Sequence, residues 1–508
     1  VPQHVTYSST FMLIPEDREI DIVKRPEQNQ IPEEPSLGIV LIRIAFWWPL
    51  FISRLALLIL SVGLKFLLVP FSFAAPSFWL SALLWVFWKT LAFPLSVLNW
   101  IITPAENHDK KKRTILITCG STIQTLHLAR NFYSSGARVI VVEFEGLFGL
   151  ARFSSAVSQF YTVPKPTLDT AQDYIASLCE IVEKEKPTHF IPVCATNSSY
   201  YDSLAKPHLE LLGCATFIPG MQENLILDDI LEVFKICSVN AMSLPPFKLL
   251  TSKEDLFKLY DIGWMAGYRN ILVAVGSEGV LERHKFVLPQ NRQDVKVTHE
   301  ISDDKPWIVM RCVPGNHYIT CTTIKDSKIV ANVTCLVNQD TKNLIPEENK
   351  KISTWLHDFF HKVRFPRPVN AHISFRFIEC EITGDLLPIG SRVGVSLPYI
   401  CHTGVHSRVL WKPCPHFCRQ NSGPLVQEGG RYWIHDTVLN TLKHPSVNAV
   451  SKLIGTVLDK REALFTYWDP LPYCAYYHFQ LPLRSIKSFI QKRQATRSMA
   501  TTLAAPVH

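Results

Sequence analysis

The chain has 508 residues, 47% of them apolar, and its 52 Lys and Arg against 44 Asp and Glu leave a net charge of +8. That size allows more than one core, and at about 150 residues per unit it predicts about three. The basic excess is diluted, without an arginine-rich helix, zinc-finger spacing or aromatic RNA-binding motif, which argues against nucleic acid as a partner; the 13 scattered cysteines argue against a disulfide framework and for reduced, mostly buried thiols.

Residues 1–37 form a polar tail. From Gly38 to Pro104 the ionisable side chains are Arg43, Arg54, Lys65 and Lys89 alone, among Leu, Phe, Trp, Ile and Val. A hydrocarbon core of about 30 Å is crossed by about 20 apolar helical residues, so 38–104 predicts a membrane-anchoring helical hairpin whose lipid contact is the expected partner interaction. Pro70 and Pro76 break any single straight helix, which places the two helices near 44–69 and 77–102, either spanning the bilayer or dipping into one leaflet. Trp47, Trp48, Trp79, Trp85, Trp88 and Trp100 suit interfacial depth. The stretch is too internal and too long for a cleaved signal peptide. Lys110-Lys111-Lys112-Arg113 follows at once, and the positive-inside tendency predicts a membrane protein with its globular part facing the cytosol.

Thr114 to Gly120 reads as an apolar strand and turn, Gln124 to Tyr133 has helical spacing, and Ala137 to Glu143 is the next strand, a βαβ unit. Its first loop holds one glycine in place of Gly-x-Gly-x-x-Gly, which argues against NAD. Tyr161-Thr162-Val163-Pro164 and the strand His189 to Val193 continue this α/β domain over 113–225. Leu227-Asp228-Asp229-Ile230 enters a further helix, Leu244-Pro245-Pro246 marks a loop, Ser252 starts a helix to Tyr260 as its N-cap, and Asn270 to Val275 is a strand. Trp307 to Tyr318 then reads as a strand running into a turn. Ala371 to Glu379 is a strand, and Trp468-Asp469-Pro470-Leu471-Pro472-Tyr473 with Tyr477-His478-Phe479-Gln480 closes the pattern.

In order and spacing these segments, over about 113–480, resemble a carbamoyl-phosphate-synthase-like branch of the ATP-grasp ligases, here on a membrane anchor. The resemblance implies an α+β architecture: a Rossmann-like preATP-grasp domain at 113–225, an ATP-grasp domain at 226–420, a helical closing segment at 421–482 and a basic tail at 483–508. It also implies ATP and Mg2+ as cofactors, and an ancestral reaction joining a carboxylate to an amine through an acyl phosphate. The nucleotide pocket would be formed by the positions of Ile230, Val273, Met310, Arg311, Val313, His317, Arg376 and Glu379. The frame survives at Trp307, Val313, Gly315 and Tyr318, while Arg311 and His317 stand where the family places an adenine-side and a ribose-binding glutamate. Ile230 occupies a usually basic position, and Val273 that of the lysine in Ile-Leu-Lys. Glu278 and Glu282 fall where a carboxylate and an arginine are expected, with Arg283 able to substitute if the loop shifts by one residue.

Magnesium requires oxygen ligands, which this family takes from carboxylates on two adjacent strands. Arg376 occupies the aspartate position of Gly-x-x-Ser-Phe-Asp-Phe. The second strand aligns either without a gap, at Pro388-Ile389-Gly390-Ser391-Arg392, or with an insertion, at Ile400 to Ser407; neither supplies the expected glutamate and asparagine. Glu379 and Glu381 are the nearby carboxylates, out of step with position 376 on a strand. Separately, Cys401, His402, His406, Cys414, His416 and Cys418 place six zinc-type donors within a short span, at a spacing unlike any finger. No Gly-x-Ser-x-Gly elbow points to a hydrolase. The expectation is a regulatory or scaffolding pseudoenzyme on a membrane, with weak or no ATP binding and with a protein partner or a homo-oligomer left open. The alternative is an active ATP-dependent carboxylate–amine ligase of secondary metabolism.

Overall fold

Apolar runs that alternate with amphipathic helices pair here as parallel strands. β1 (Thr114–Ile117), β2 (Arg138–Phe144), β3 (Gln159–Val163), β4 (His189–Ile191) and β5 (Ala215–Thr216) form one sheet in the order β3-β2-β1-β4-β5, all pairs parallel. The computed structural model describes Ala56 and residues 76–102, 113–193, 199–295, 299–337, 344–401, 446–449, 451 and 463–484. All but Ala56 belong to the second of two units, Phe71–His508.

Helices Ile123–Ser134, Ala171–Glu185 and Ser199–Leu211 cover the parallel sheet. The second buries Tyr174, Ile175, Leu178, Ile181 and Val182 at helical spacing and ends where Lys186 turns left-handed at φ 48°. In a doubly wound sheet, ligands enter where the strand order reverses, beyond the carboxyl ends of the strands. The loop after β1 is tied down there by other protein groups. The Glu143 carboxylate accepts from the Ser121 amide and, at 2.8 Å, from Phe144 N, and Gln480 Nε2 donates to Ser121 O at 2.8 Å.

Two antiparallel sheets follow, completing an α+β arrangement. β6 (Phe247–Leu250), β7 (Arg269–Ala274), β8 (Lys285–Val287) and β9 (Trp307–Cys312) lie in the order β6-β9-β7-β8. β10 (Gly315–Lys325), β11 (Lys328–Val337), β12 (Leu344–Pro346), β13 (Ala371–Cys380) and β14 (Leu386–Val393) lie in the order β12-β11-β10-β13-β14. The chain passes between these sheets at Val313-Pro314-Gly315. A Cβ at Gly315 would stand 2.0 Å from the carbonyl oxygen of Glu379, so only glycine fits that approach. Helix Lys350–Lys362, capped by Asn349, lays Trp355, Phe359 and Phe360 on Phe375 and Phe377 of β13.

Of the expected membrane hairpin, the helix at 44–69 lies, apart from Ala56, outside the described residues. The other is helix Pro76–Ile102, running through Pro94. Among the described residues no helix is long and apolar enough to cross a membrane, so the expected transmembrane helix is not found there. Pro94, Lys89 and several hydroxyl and amide side chains dilute this helix, and part of one face is given to protein. Phe78 and Ser81 are buried, and the Phe78 ring meets His478 edge-on at 6.3 Å.

The closing segment 463–484 packs back on the parallel-sheet domain. Asp469 is fully buried; it accepts from Arg130 Nε at 2.8 Å, Ser154 Oγ at 2.6 Å and Ser155 N at 2.7 Å, while Arg130 Nη2 donates to its carbonyl at 2.9 Å. Removing one partner of a buried, saturated ion pair leaves the other charge unsolvated. Asp469→Ala is therefore expected to lower unfolding free energy by about 3–5 kcal/mol in urea titration. Arg130→Met with Asp469→Leu should recover a large part of that loss. Equal loss in the single and double variants would show that the pair does not carry the docking.

Candidate functional site

A cavity of about 350 Å³ opens between the two antiparallel sheets. Its back wall begins with Asp228 and Asp229, which end one helix and start the next. Asp228 accepts at Oδ1 from Val393 N (2.9 Å) and at Oδ2 from Ser199 Oγ (2.9 Å) and Arg283 Nη2. Asp229 caps helix Ile230–Val239 by accepting from Leu231 N at 2.9 Å, and its other oxygen accepts from Gly276 N at 2.8 Å. Burial raises the Asp229 carboxyl to about 6, against the lowering effect of those two donors.

The floor follows from strand register. Val273 on β7 stands directly opposite Lys285 on β8, and Arg376 on β13 directly opposite Gly390 on β14. Opposed residues in an antiparallel pair share a face, and all four line the cavity. The β13–β14 register shifts between Arg376 and Phe377, the kind of irregularity that re-aims a side chain. Lys285 and Arg376 are open to the cleft and form no ion pair among the described residues. Desolvation in the cleft draws Lys285 below the usual lysine range, and Arg376 and Arg269 push it further. Arg283, held left-handed at φ 55°, gives Nη2 to Asp228 and leaves Nη1 buried with no hydrogen-bond partner among the described residues. Ser391 Oγ is likewise buried without a partner among them, in the same wall.

Of the pocket positions read from sequence, Ile230, Val273 and Arg376 line this cavity. Met310 is core, packed with Ile308 and Val275, and Val313 is partly buried against the same cluster. The Arg311 guanidinium lies 4.4 Å over Trp264 and 4.9 Å over Tyr268 and donates to Trp264 O, so its charge is spent on an aromatic pair outside the cavity wall. His317 is half-buried, and its pKa is pushed below the ordinary histidine value first by burial and then by Lys285, Arg269 and Arg376. Glu379 accepts from Lys351 Nζ at 2.6 Å, beside the helix that covers β13. Ser374 and Arg376 face the cavity while Phe375 and Phe377 face that helix, and Glu379 shares their parity.

The strand beside Arg376 is β14, so Pro388 to Arg392 is the segment that meets it, and Ile400 lies in a separate turn, Leu397–Cys401. Cys401 is buried with Val333 and Ala463, and its hydrogen bond to Cys335 pushes the Cys335 thiol up. His402, His406, Cys414, His416 and Cys418 lie outside the described residues. The sequence reading missed Lys285, and it named Ser391 and Arg392 only within the ungapped alignment of the second strand. The one available signal was the length of the β7–β8 connection, which sets Lys285 across from Val273, but a helix at Gly276–Leu281 inside that connection hides the register.

The donor set does not fit Mg2+. An octahedral oxygen cage needs carboxylate oxygens turned to the metal, and the two on the wall are engaged by protein donors, Asp228 by Ser199, Arg283 and Val393 and Asp229 by two backbone amides. The adjacent strands offer Arg376 and Gly390.

No family model matches the chain, and no curated protein matches it. Among solved structures, N5-carboxyaminoimidazole synthetase from Staphylococcus aureus is similar at 12% identity and a TM-score of 0.42, over 59% of this chain and 77% of that one. An ADP complex of N5-carboxyaminoimidazole ribonucleotide synthetase gives 13% and 0.42 over 65% and 85%. L-amino acid ligase from Bacillus licheniformis gives 10% and 0.40 over 58% and 70%.

The position of Asp229 has a pH signature. Its folded carboxyl holds a proton up to about pH 6, whereas the unfolded one releases it near 3.8. Between those values the folded state binds more protons, so this group's contribution to stability falls as pH rises through the window and stays low above it. Asp229→Asn keeps a cap acceptor and removes the titration. Measured by thermal or urea unfolding, variant minus parent stability should rise between pH 4 and pH 7.5 by on the order of 2–3 kcal/mol. A difference flat with pH would mean that Asp229 is not desolvated.

Proposed function

We propose that the chain is a degenerate ATP-grasp-like protein, regulatory or scaffolding in role, held at a membrane surface with its globular part facing the cytosol. The observation that carries this reading is Arg376 facing Gly390 across β13 and β14. Acyl-phosphate formation from ATP requires charge on the transferred phosphoryl group to be neutralised as the bond breaks, which this class of reaction does with metal ions held between carboxylates. By the sequence resemblance in its ungapped alignment, a guanidinium and a bare backbone stand at those positions. Further support comes from the succession of one parallel sheet and two antiparallel sheets about a cleft, in the order the sequence resemblance implies.

The catalytic test is direct. Full-length protein in detergent, given ATP, Mg2+ and mixed carboxylate and amine substrates, should release no ADP above that of heat-denatured protein. Turnover at an ordinary enzymatic rate, about 1 s⁻¹ or more, abolished by Arg376→Ala, would replace this reading with that of an active ligase using cations in place of metal.

The membrane part rests on helix Pro76–Ile102. Trp79, Leu83, Phe87 and Leu91 recur at one-turn spacing and are 53%, 66%, 64% and 47% exposed, while Phe78 and Ser81 turn toward protein. An apolar stripe of that kind beside a protein-packed face suits a helix lying in the interfacial plane. A protein partner or a second copy would cover the same stripe. A fluorescent amino acid placed at Leu83 of the full chain in vesicles separates the cases: quenching by spin-labelled lipid and protection from iodide are expected, with the reverse for the same probe at Tyr133. Iodide access at Leu83, or protection without lipid quenching, would remove lipid as the occupant.

A further inference from the structure

We infer that the cleft binds an extended phosphate chain without a divalent metal, gripped by Lys285, Arg283 and Arg376. This rests on the reading of the cavity as a ligand cleft and goes beyond it, because a degenerate site need bind nothing. Two separate pieces of chain bring the cations together: β8 and the turn before it supply Lys285 and Arg283, and β13 supplies Arg376. Lys285 and Arg376 have no counter-ion among the described residues, yet each is close enough to the other for their charges to interact. Like charges gathered in a partly desolvated cleft repel, and an anion between them reverses the sign.

Two further polar atoms await a partner. Among the described residues Arg283 Nη1 and Ser391 Oγ are buried and unsatisfied in the cavity wall, whereas buried donors are nearly always bonded in a finished structure. The carboxylates that could quench the cations are already used. Asp228 takes one edge of Arg283 together with Ser199 and Val393, and Asp229 is turned to backbone amides.

A single small anion would satisfy one or two of these groups. The cavity, about 350 Å³, is within the range of small-molecule sites and has room for more than one phosphate. Cations carried by two different sheets match charge spread along a chain. Because the positive charge is built into the protein, Mg2+ complexed to the phosphates competes with the site. Metal should therefore weaken binding, opposite to the behaviour of a carboxylate-held Mg2+ site. A nucleoside triphosphate and inorganic tripolyphosphate share this chemistry, and the measurement distinguishes them.

The experiment titrates full-length protein in detergent with ATP, inorganic tripolyphosphate and orthophosphate, by calorimetry and thermal shift, in EDTA and in excess Mg2+. ATP should bind in EDTA and lose at least tenfold in affinity with Mg2+, and Lys285→Gln and Arg376→Gln should each weaken it about tenfold. Tripolyphosphate binding with the same dependence on both variants supports the proposal with the phosphate chain as the whole determinant. Binding of ATP alone supports it with a nucleoside contact added. Both variants remove like-charge repulsion, so their ligand-free melting temperatures should equal or exceed the parent's, which keeps misfolding from imitating the result. Binding that requires Mg2+, binding indifferent to both variants, or no binding by ATP or tripolyphosphate in EDTA overturns the proposal. The last outcome leaves the non-catalytic reading standing, whereas ADP release with Mg2+ removes that reading without touching metal-free binding.

Discussion

The Asp228 carboxylate holds the site together. One buried side chain bonds Ser199 at the start of a helix on the parallel sheet, Arg283 at the approach to β8 and the Val393 amide at the end of β14. These three groups come from three parts of the fold, and together they fix how the cleft walls stand. A charge-assisted bond from a buried carboxylate is strong only while its donors are in place, and each lost donor leaves desolvated charge behind. The left-handed turn at Arg283 is tolerable for the same reason: the guanidinium is anchored at one edge, so the other edge is presented to the cavity in a fixed place. Asp229 adds the second bond of this corner by joining the cap of helix Ile230–Val239 to the start of the Gly276–Leu281 turn.

What was legible in the sequence was local. The β1–helix–β2 unit follows from apolar spacing, and the Ser252 hydroxyl does accept from Asp255 N at 3.2 Å as a capping residue should. Trp307 to Tyr318 is a strand and turn because the hydrophobic run ends at a glycine no other residue could replace. What was not legible was pairing at a distance. Val273 read as a lost lysine because position along one strand says nothing about the neighbour. In the hairpin a lysine stands directly across from it. Arg311 likewise read as a cation in the pocket because its partners, Trp264 and Tyr268, come from another loop. The 67-residue apolar stretch from Gly38 to Pro104 read as two bilayer helices. Composition registers how apolar a helix is, but not that Phe78 and Ser81 face protein.

The closing segment extends the same lesson to the whole domain. Arg130 and Asp469 are 339 residues apart and meet with both side chains nearly excluded from water. A motif of Asp, Pro and Leu has no evident role until that contact exists. Once it does, Leu464, Tyr473 and Tyr477 join Leu126 and Leu150 in one apolar cluster. Helix Pro76–Ile102 then packs on Leu471–Ala475 and His478. The apolar stripe of that helix is thus carried on a mount built by a buried ion pair.

A fixed cation and a bound metal are unequal substitutes in chemistry, even where they are equal in charge. A metal ion can follow the oxygens of a transferring phosphoryl group and gain contact as charge moves, so part of its interaction appears only in the transition state. Arg376 and Lys285 are tethered to strands of two different sheets, and in the proposed metal-free binding their attraction would be complete once phosphates were seated. Binding of ground state and transition state to the same degree raises affinity and leaves the chemical step where it was. A cleft that exchanged carboxylates and metal for strand-borne cations would keep the capacity to recognise a phosphate chain and lose most of the means to cleave it. On the proposed reading, binding without turnover follows from cations on two sheets standing in place of metal-holding carboxylates, with no need for the fold around them to change.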